Sequence, residues 1–214
     1  MSAPRIVLAS GSPRRRQLLD MIGITHEVAA ADIDESVRPG EAPRAYAERV
    51  AREKGSGVAA RAPEAVVVSA DTIVVIDGEV LGKPANEADA ARMLRQLSGR
   101  RHVVYTAVAV TRAGKAESGV EEVDVTFREL SEVDIATYIA TGEPMDKAGA
   151  YGIQGFGATI VRRIEGDYFA VMGLALGLLV GLLARVGVRY GFGTLEDDWA
   201  GETSPTRPPA TTGA

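Results

Sequence analysis

The stretch that most constrains this chain is Val66–Pro84, VVVSADTIVVIDGEVLGKP. Its β-branched run Val66–Val68 passes two small residues to a lone acid, Asp71, and apolar alternation resumes at Ile73–Ile76. Asp77-Gly78 then predicts a two-residue hairpin turn. A run of this kind predicts a buried strand rather than a surface one. Asp71 is thereby expected at the end of a core strand, with Thr72 beside it and Lys83 returning on the far side of the hairpin. An unpaired buried charge is costly, so this carboxylate needs a partner. Two readings stay open from these residues alone: a strand-end Asp that caps a turn, or a carboxylate that does chemistry.

A chain of 214 residues, 46% hydrophobic and 25% charged, predicts one large domain or two small lobes with a sizeable core. With no cysteine there is no disulfide framework, thiolate nucleophile or cysteine metal site, which leans the expectation to the cytoplasm. The two histidines, His26 and His102, are too few for most His-based zinc sites. Any metal is therefore expected to be hard and oxygen-bound, Mg²⁺ or Mn²⁺, held by Asp or Glu. A net charge of −5 argues against broad nucleic-acid binding, which needs clustered Lys and Arg. MSAPRIVLAS has no apolar stretch long enough for a signal peptide, a second reason to expect a cytoplasmic protein.

Ile6–Ala9 predicts a short buried strand, and Ser10-Gly11-Ser12-Pro13-Arg14-Arg15-Arg16 follows it. Ser12 suits a helix N-cap and Pro13 the first helical position, so strand, glycine turn and helix start outline an anion site to which the arginines add forked donors. An ordinary capped helix with solvated arginines fits the same residues. Thr25–Ala30 suits a second strand before a compact acidic cluster, Asp32-Ile33-Asp34-Glu35-Ser36, which suits a solvated loop or a metal. Pro43–Arg61 predicts an amphipathic helix weakened by Gly55 and Gly57, with Lys54 just before the weak spot. Asn86 begins another helix, and His102–Arg112 with Val120–Phe127 predicts a long antiparallel pair, with His102 structural at its entry. Ser131 starts a further helix. Glu143–Gly155 lacks periodicity and offers Lys147, Tyr151 and Gln154 as a charge, a stacking ring and an amide, the makings of a binding loop. Ala158–Ile164 predicts a last strand. Phe169–Ala184 is a charge-free run with Gly173, Gly177 and Gly181 at four-residue spacing, too short to span a bilayer and expected to be one buried helix packed closely on the sheet. Residues 1–189 are expected to form the folded domain, and the Gly-, Thr- and Pro-rich residues 190–214 a disordered tail.

Together LASGSPRRRQLL (Leu8–Leu19), DIDES (Asp32–Ser36), AREK (Ala51–Lys54), SADTIVVIDGEVLGKP (Ser69–Pro84), LSGRRHVVYTAVAV (Leu97–Val110), EPMDKAGAYGIQG (Glu143–Gly155) and GDYFAVMGL (Gly166–Leu174) resemble the Maf family of nucleoside triphosphate pyrophosphatases. The resemblance covers about residues 5–185. It implies an α/β fold with a mixed twisted sheet flanked by helices, in two lobes around a central cleft, and usually a homodimer. It also implies hydrolysis of a nucleoside triphosphate between the α- and β-phosphates. Asp71 matches the family's catalytic carboxylate, and Glu35 one that helps Asp71 hold the divalent metal. Ser12, Arg14, Arg15, Lys54, Lys83 and Lys147 match polar and basic positions around the nucleotide.

Arg14, Thr72 and Gln154 resemble the dTTP/UTP subgroup of that family; the 7-methyl-GTP subgroup typically has Gln after the Asp and Glu in the later motif. A Gln amide offers both a donor and an acceptor to a uracil or thymine edge. Ala175 departs from the family, which usually has proline there. A second reading is a nucleotide-binding regulatory protein affecting septum formation; intact Glu35, Asp71 and Lys83 favour the enzyme.

Overall fold

Alternation along Val66–Ile76 sorts the molecule into two layers around one sheet. The structure is a computed structural model and describes residues 3–198. The central run is strand β3 (Val66–Ile76), flanked on one edge by parallel β1 (Ile6–Leu8), with β2 (Glu27–Val28) parallel outside it. β4 (Glu79–Leu81) folds back antiparallel on the end of β3. Across the other edge follow β5 (Arg101–Arg112), β6 (Lys115–Phe127) and β7 (Val161–Glu165), all antiparallel. The result is a seven-stranded mixed sheet. Both tight hairpins carry the left-handed pair that a type I′ turn requires: Asp77 and Gly78 at φ 51° and 79°, Ala113 and Gly114 at 47° and 81°.

Even-numbered β3 residues, Val66, Val68, Ala70, Val74 and Ile76, face the larger core. Helices α1 (Pro13–Met21), α3 (Glu87–Leu97), α4 (Glu132–Ala140), α5 (Tyr168–Met172) and α6 (Leu176–Arg185) contribute to that layer. Odd-numbered Ile73 and Val75 face α2 (Pro43–Ala59) through Ala47, Val50 and Ala51. α2 runs through both of its glycines. A Cβ on Gly55 would stand 2.7 Å from Ser69 Oγ and 3.2 Å from Thr111 Oγ1, so the residue that weakens the helix also lets it reach the sheet.

Four expectations are corrected. Asp71 does not end a strand: β5 pairs with β3 from Val67 to Val75 without a break, which carries the chain straight through it. The apolar run is two helices, because Gly173 takes φ 116° and terminates α5, and α6 starts only after Ala175. Its glycines are not a packing stripe either, since nothing lies within 4 Å of a Cβ on Gly177 or Gly181. The expected disorder from residue 190 gives way, as far as Asp198, to a hairpin of β8 (Val188–Tyr190) and β9 (Leu195–Asp197). Tyr190 donates to the Ile22 carbonyl at 2.9 Å and Arg112 pairs with Asp197 at 2.6 Å, which ties the hairpin to the body. Residues 199–214 lie outside the described residues. No helix among the described residues is long and apolar enough to cross a membrane.

Candidate active site

The cleft arises from an interruption in the sheet. β1 pairs with β3 up to Leu8↔Val68, and β4 pairs with it only from Val74↔Leu81 onward. Residues 69–73 of β3 thus have no strand partner on that edge among the described residues, while β5 holds the opposite edge. The chain leaving β1 and the chain leaving β4 diverge around this gap. Strand ends that part in an α/β sheet leave a crevice suited to a ligand. Here it is a cleft of about 810 Å³, lined by Ser12, Arg14 and Arg15 after β1, Lys83 after β4, Lys54 and Glu35 on one side, Lys147 and Gln154 on another, with Asp71 and Thr72 at its floor. All ten residues singled out from the sequence line this one cleft.

Because β3 alternates, Asp71 and Thr72 point to opposite faces and serve different surroundings. Asp71 is buried on the α2 side. Lys54 reaches from α2 and places its Nζ 2.9 Å from Asp71 Oδ1 and 2.9 Å from Glu35 Oε2. One ammonium thus bridges the two carboxylates, which supplies the partner that a buried Asp requires. Tyr46 donates its phenol proton to the Glu35 carbonyl at 2.8 Å, and Arg49 donates to the Ser36 carbonyl at 2.9 Å, fixing the acidic loop. Burial, then the charges of Asp71 and Glu35, raise the Tyr46 phenol, so it stays a donor.

On the other face Thr106 donates to the Ala170 carbonyl at 2.7 Å. With that proton committed, the 2.9 Å contact between the two hydroxyls has Thr72 as donor. Arg15 Nη2 donates to Thr72 Oγ1 at 3.3 Å. Thr72 is left to meet a ligand as an acceptor. Arg15 also donates through Nε to the Gly173 carbonyl at 2.7 Å and through Nη1 to Ser10 Oγ at 3.0 Å. Its guanidinium therefore braces the last helices against the loop after β1, and burial lowers its pKa, partly opposed by Asp71.

Other placements differ in detail from expectation. Ser12 occupies the N-cap of α1, but its side chain makes no capping bond. Lys147 Nζ donates to Asp146 Oδ1 at 2.6 Å and to the Glu143 carbonyl at 2.5 Å. Tyr151, expected as a stacking ring, is buried edge-on against Phe127 and His102, with its hydroxyl 2.8 Å from His102 Nε2. His102 is a core residue. Ser10, Tyr46, Thr106 and Glu143 were not legible as site residues. Their signal is the structure's register and loop path, not a local pattern.

The set of charges suits a ligand with several anionic oxygens: cations on three sides and a carboxylate at the floor. Among the described residues no group of three or more His, Asp or Glu side chains is arranged to hold a metal ion. Glu35 and Asp71 are a two-carboxylate donor set, which fits Mg²⁺ or Mn²⁺ when ligand oxygens complete the shell.

The fold and this cleft define an α/β protein with a cation-lined crevice opened by an interrupted sheet edge. The family model described as Maf-like protein matches residues 5–186, and the chain belongs to the Maf family. A protein of Syntrophomonas wolfei named dTTP/UTP pyrophosphatase is 53% identical over 182 residues, 84% of this chain and 96% of that one. One of Moorella thermoacetica with the same name is 53% identical over 86% of this chain and 96% of its own length. Among solved structures, the Staphylococcus aureus Ham1 protein overlaps with a TM-score of 0.44 at 20% identity, over 73% of this chain and 79% of that one.

Proposed function

We propose that this protein hydrolyses dTTP and UTP to the nucleoside monophosphate and pyrophosphate. The observation that carries the reading is Asp71 beside Lys54 at the unpaired edge of β3, in one cleft with Thr72 and Gln154. The name shared by relatives at 53% identity supports the same substrates. Lys54 holds Asp71 Oδ1. The Asp71 carboxylate takes the proton from a water attacking the α-phosphorus, and the bond from phosphorus to the α–β bridging oxygen breaks as pyrophosphate leaves. Arg14, Lys83 and Lys147 surround the charge that develops on the phosphate oxygens. Glu35 and Asp71 would hold a divalent cation, which when bound adds positive charge at those oxygens. Thr72 as an acceptor suits the N–H of a uracil or thymine ring, and the Gln154 amide supplies a donor and an acceptor.

The reading includes a requirement for Mg²⁺ or Mn²⁺, a cytoplasmic location, a homodimer and no nucleic-acid partner. A protein that only binds nucleotides has no use for a proton acceptor at the phosphates, so Asp71 favours an enzyme over a septum regulator. The test is a panel of dTTP, UTP, CTP, ATP, GTP and 7-methyl-GTP with Mg²⁺ or Mn²⁺ and with chelator. Fastest turnover of dTTP and UTP, lost in chelator, is expected. Turnover of 7-methyl-GTP alone contradicts the pyrimidine reading, and activity that survives chelation contradicts the metal.

A further inference from the structure

Gln154 follows Ala150, Tyr151 and Ile153, which are buried in the larger core, and precedes Gly155, exposed Phe156 and Gly157, where the polar contacts that hold the loop converge on one carboxylate. Glu143 Oε1 accepts from the Tyr138 hydroxyl at 2.8 Å and from the Gly157 N–H at 3.0 Å, and Oε2 accepts from the Phe156 N–H at 2.9 Å. The Tyr138 hydroxyl in turn accepts from the Gly152 N–H at 3.1 Å. The backbone is thus tied two residues before Gln154 and two and three residues after it. Gln154 is exposed between these ties and lines the cleft.

The glycines around it are those the arrangement requires. A Cβ on Gly155, whose φ is 65°, would meet Glu143 Oε2 at 2.4 Å. One on Gly157 would meet the Gly152 carbonyl oxygen at 2.1 Å and the Tyr138 hydroxyl at 2.6 Å. Burial pushes the Glu143 carboxyl up, but the Gly157 and Phe156 N–H groups and the Tyr138 hydroxyl outweigh it, and the group ends below its ordinary value. An ionised carboxylate facing three donors is strongly oriented.

We propose that Glu143, with Tyr138, is the positioning residue that presents Gln154 to the base and so sets nucleotide discrimination without touching the substrate. This rests on the reading of Gln154 as a base contact. Glu143→Gln is the sharpest perturbation, because its NH₂ would face an N–H or O–H donor where an acceptor is needed. KM for dTTP is expected to rise about tenfold while kcat falls less than about threefold, since the Glu143 side chain does not line the cleft and the proton acceptor is Asp71 on β3. The preference for dTTP over GTP, as kcat/KM, is expected to shrink by a similar factor. Gln154→Ala should do the same, and the double variant should be no worse than the worse single one, because both remove one interaction.

Thermal melting shows whether Glu143→Gln is folded, and Tyr138→Phe, near-isosteric, should move KM in the same direction by about threefold if it is not. If Gln154→Ala changes discrimination and neither Glu143→Gln nor Tyr138→Phe does, positioning by Glu143 is wrong. Additive losses in the double variant also overturn it. If Gln154→Ala leaves discrimination unchanged, the base reading fails and the proposal with it.

Discussion

Replacing Lys54 by Met keeps the unbranched apolar stem of the side chain and removes its ammonium group, which tests how the acids of the cleft are tolerated. Lys54 and Asp71 have side chains only 12% and 9% exposed, and their charged atoms lie 2.9 Å apart. At an effective dielectric of 20 that separation corresponds to about 6 kcal/mol of attraction, much of it offset by the desolvation of both groups. Removing one member of a buried pair typically costs about 3–5 kcal/mol because the other charge is stranded. The contact to Glu35 adds little, since that carboxylate is 52% exposed. Lys54→Met is therefore expected to lose about 3 kcal/mol of stability at pH 8, measured by urea unfolding. Adding Asp71→Asn removes the stranded charge and should restore about 2 kcal/mol of it. A single variant within about 1 kcal/mol of the parent, or a double variant no more stable than the single, would refute the view that Lys54 is what makes a buried Asp71 tolerable.

The His102 imidazole is pushed down to about 4 by burial, so the fold favours its neutral form. Its contribution is full above the ordinary His value and is lost as pH falls from 6.5 towards 4, on the order of 3 kcal/mol in all. His102→Gln should flatten the stability profile between pH 6.5 and 5, and an unchanged slope there contradicts this. Gly55→Ala sets the gain in helix propensity, up to ~1 kcal/mol, against overpacking of Ser69, about 1–3 kcal/mol. Net destabilisation by about 1 kcal/mol in urea is expected, relieved when Ser69→Ala is added; stabilisation by Gly55→Ala alone would count against the contact.

Much of this site was legible because its chemistry is written in short segments. The β-branched run on either side of Asp71 fixes a buried strand, Asp77-Gly78 fixes the turn that brings Lys83 back, and Ser12-Pro13 fixes where α1 begins. What escaped depends on partners distant in sequence. That β1 stops at Leu8 and β4 reaches only to Val74 is a matter of register, and it decides that Asp71 stands at an open edge inside a continuous strand. Gly55 looks like a weak helix residue until Ser69 is beside it. The apolar run looked continuous because the turn at Gly173 is sustained by Arg15, 158 residues away. Glu143 sat in a segment without periodicity, and its role appears only once the loop closes on it.

The most direct test of the account is to incubate the protein with dTTP and Mg²⁺, resolve the products, and repeat with Asp71→Asn. The account predicts thymidine monophosphate and pyrophosphate, formed at least about 10²-fold more slowly by the variant. Diphosphate and inorganic phosphate as products, or a variant as fast as the parent, would contradict it.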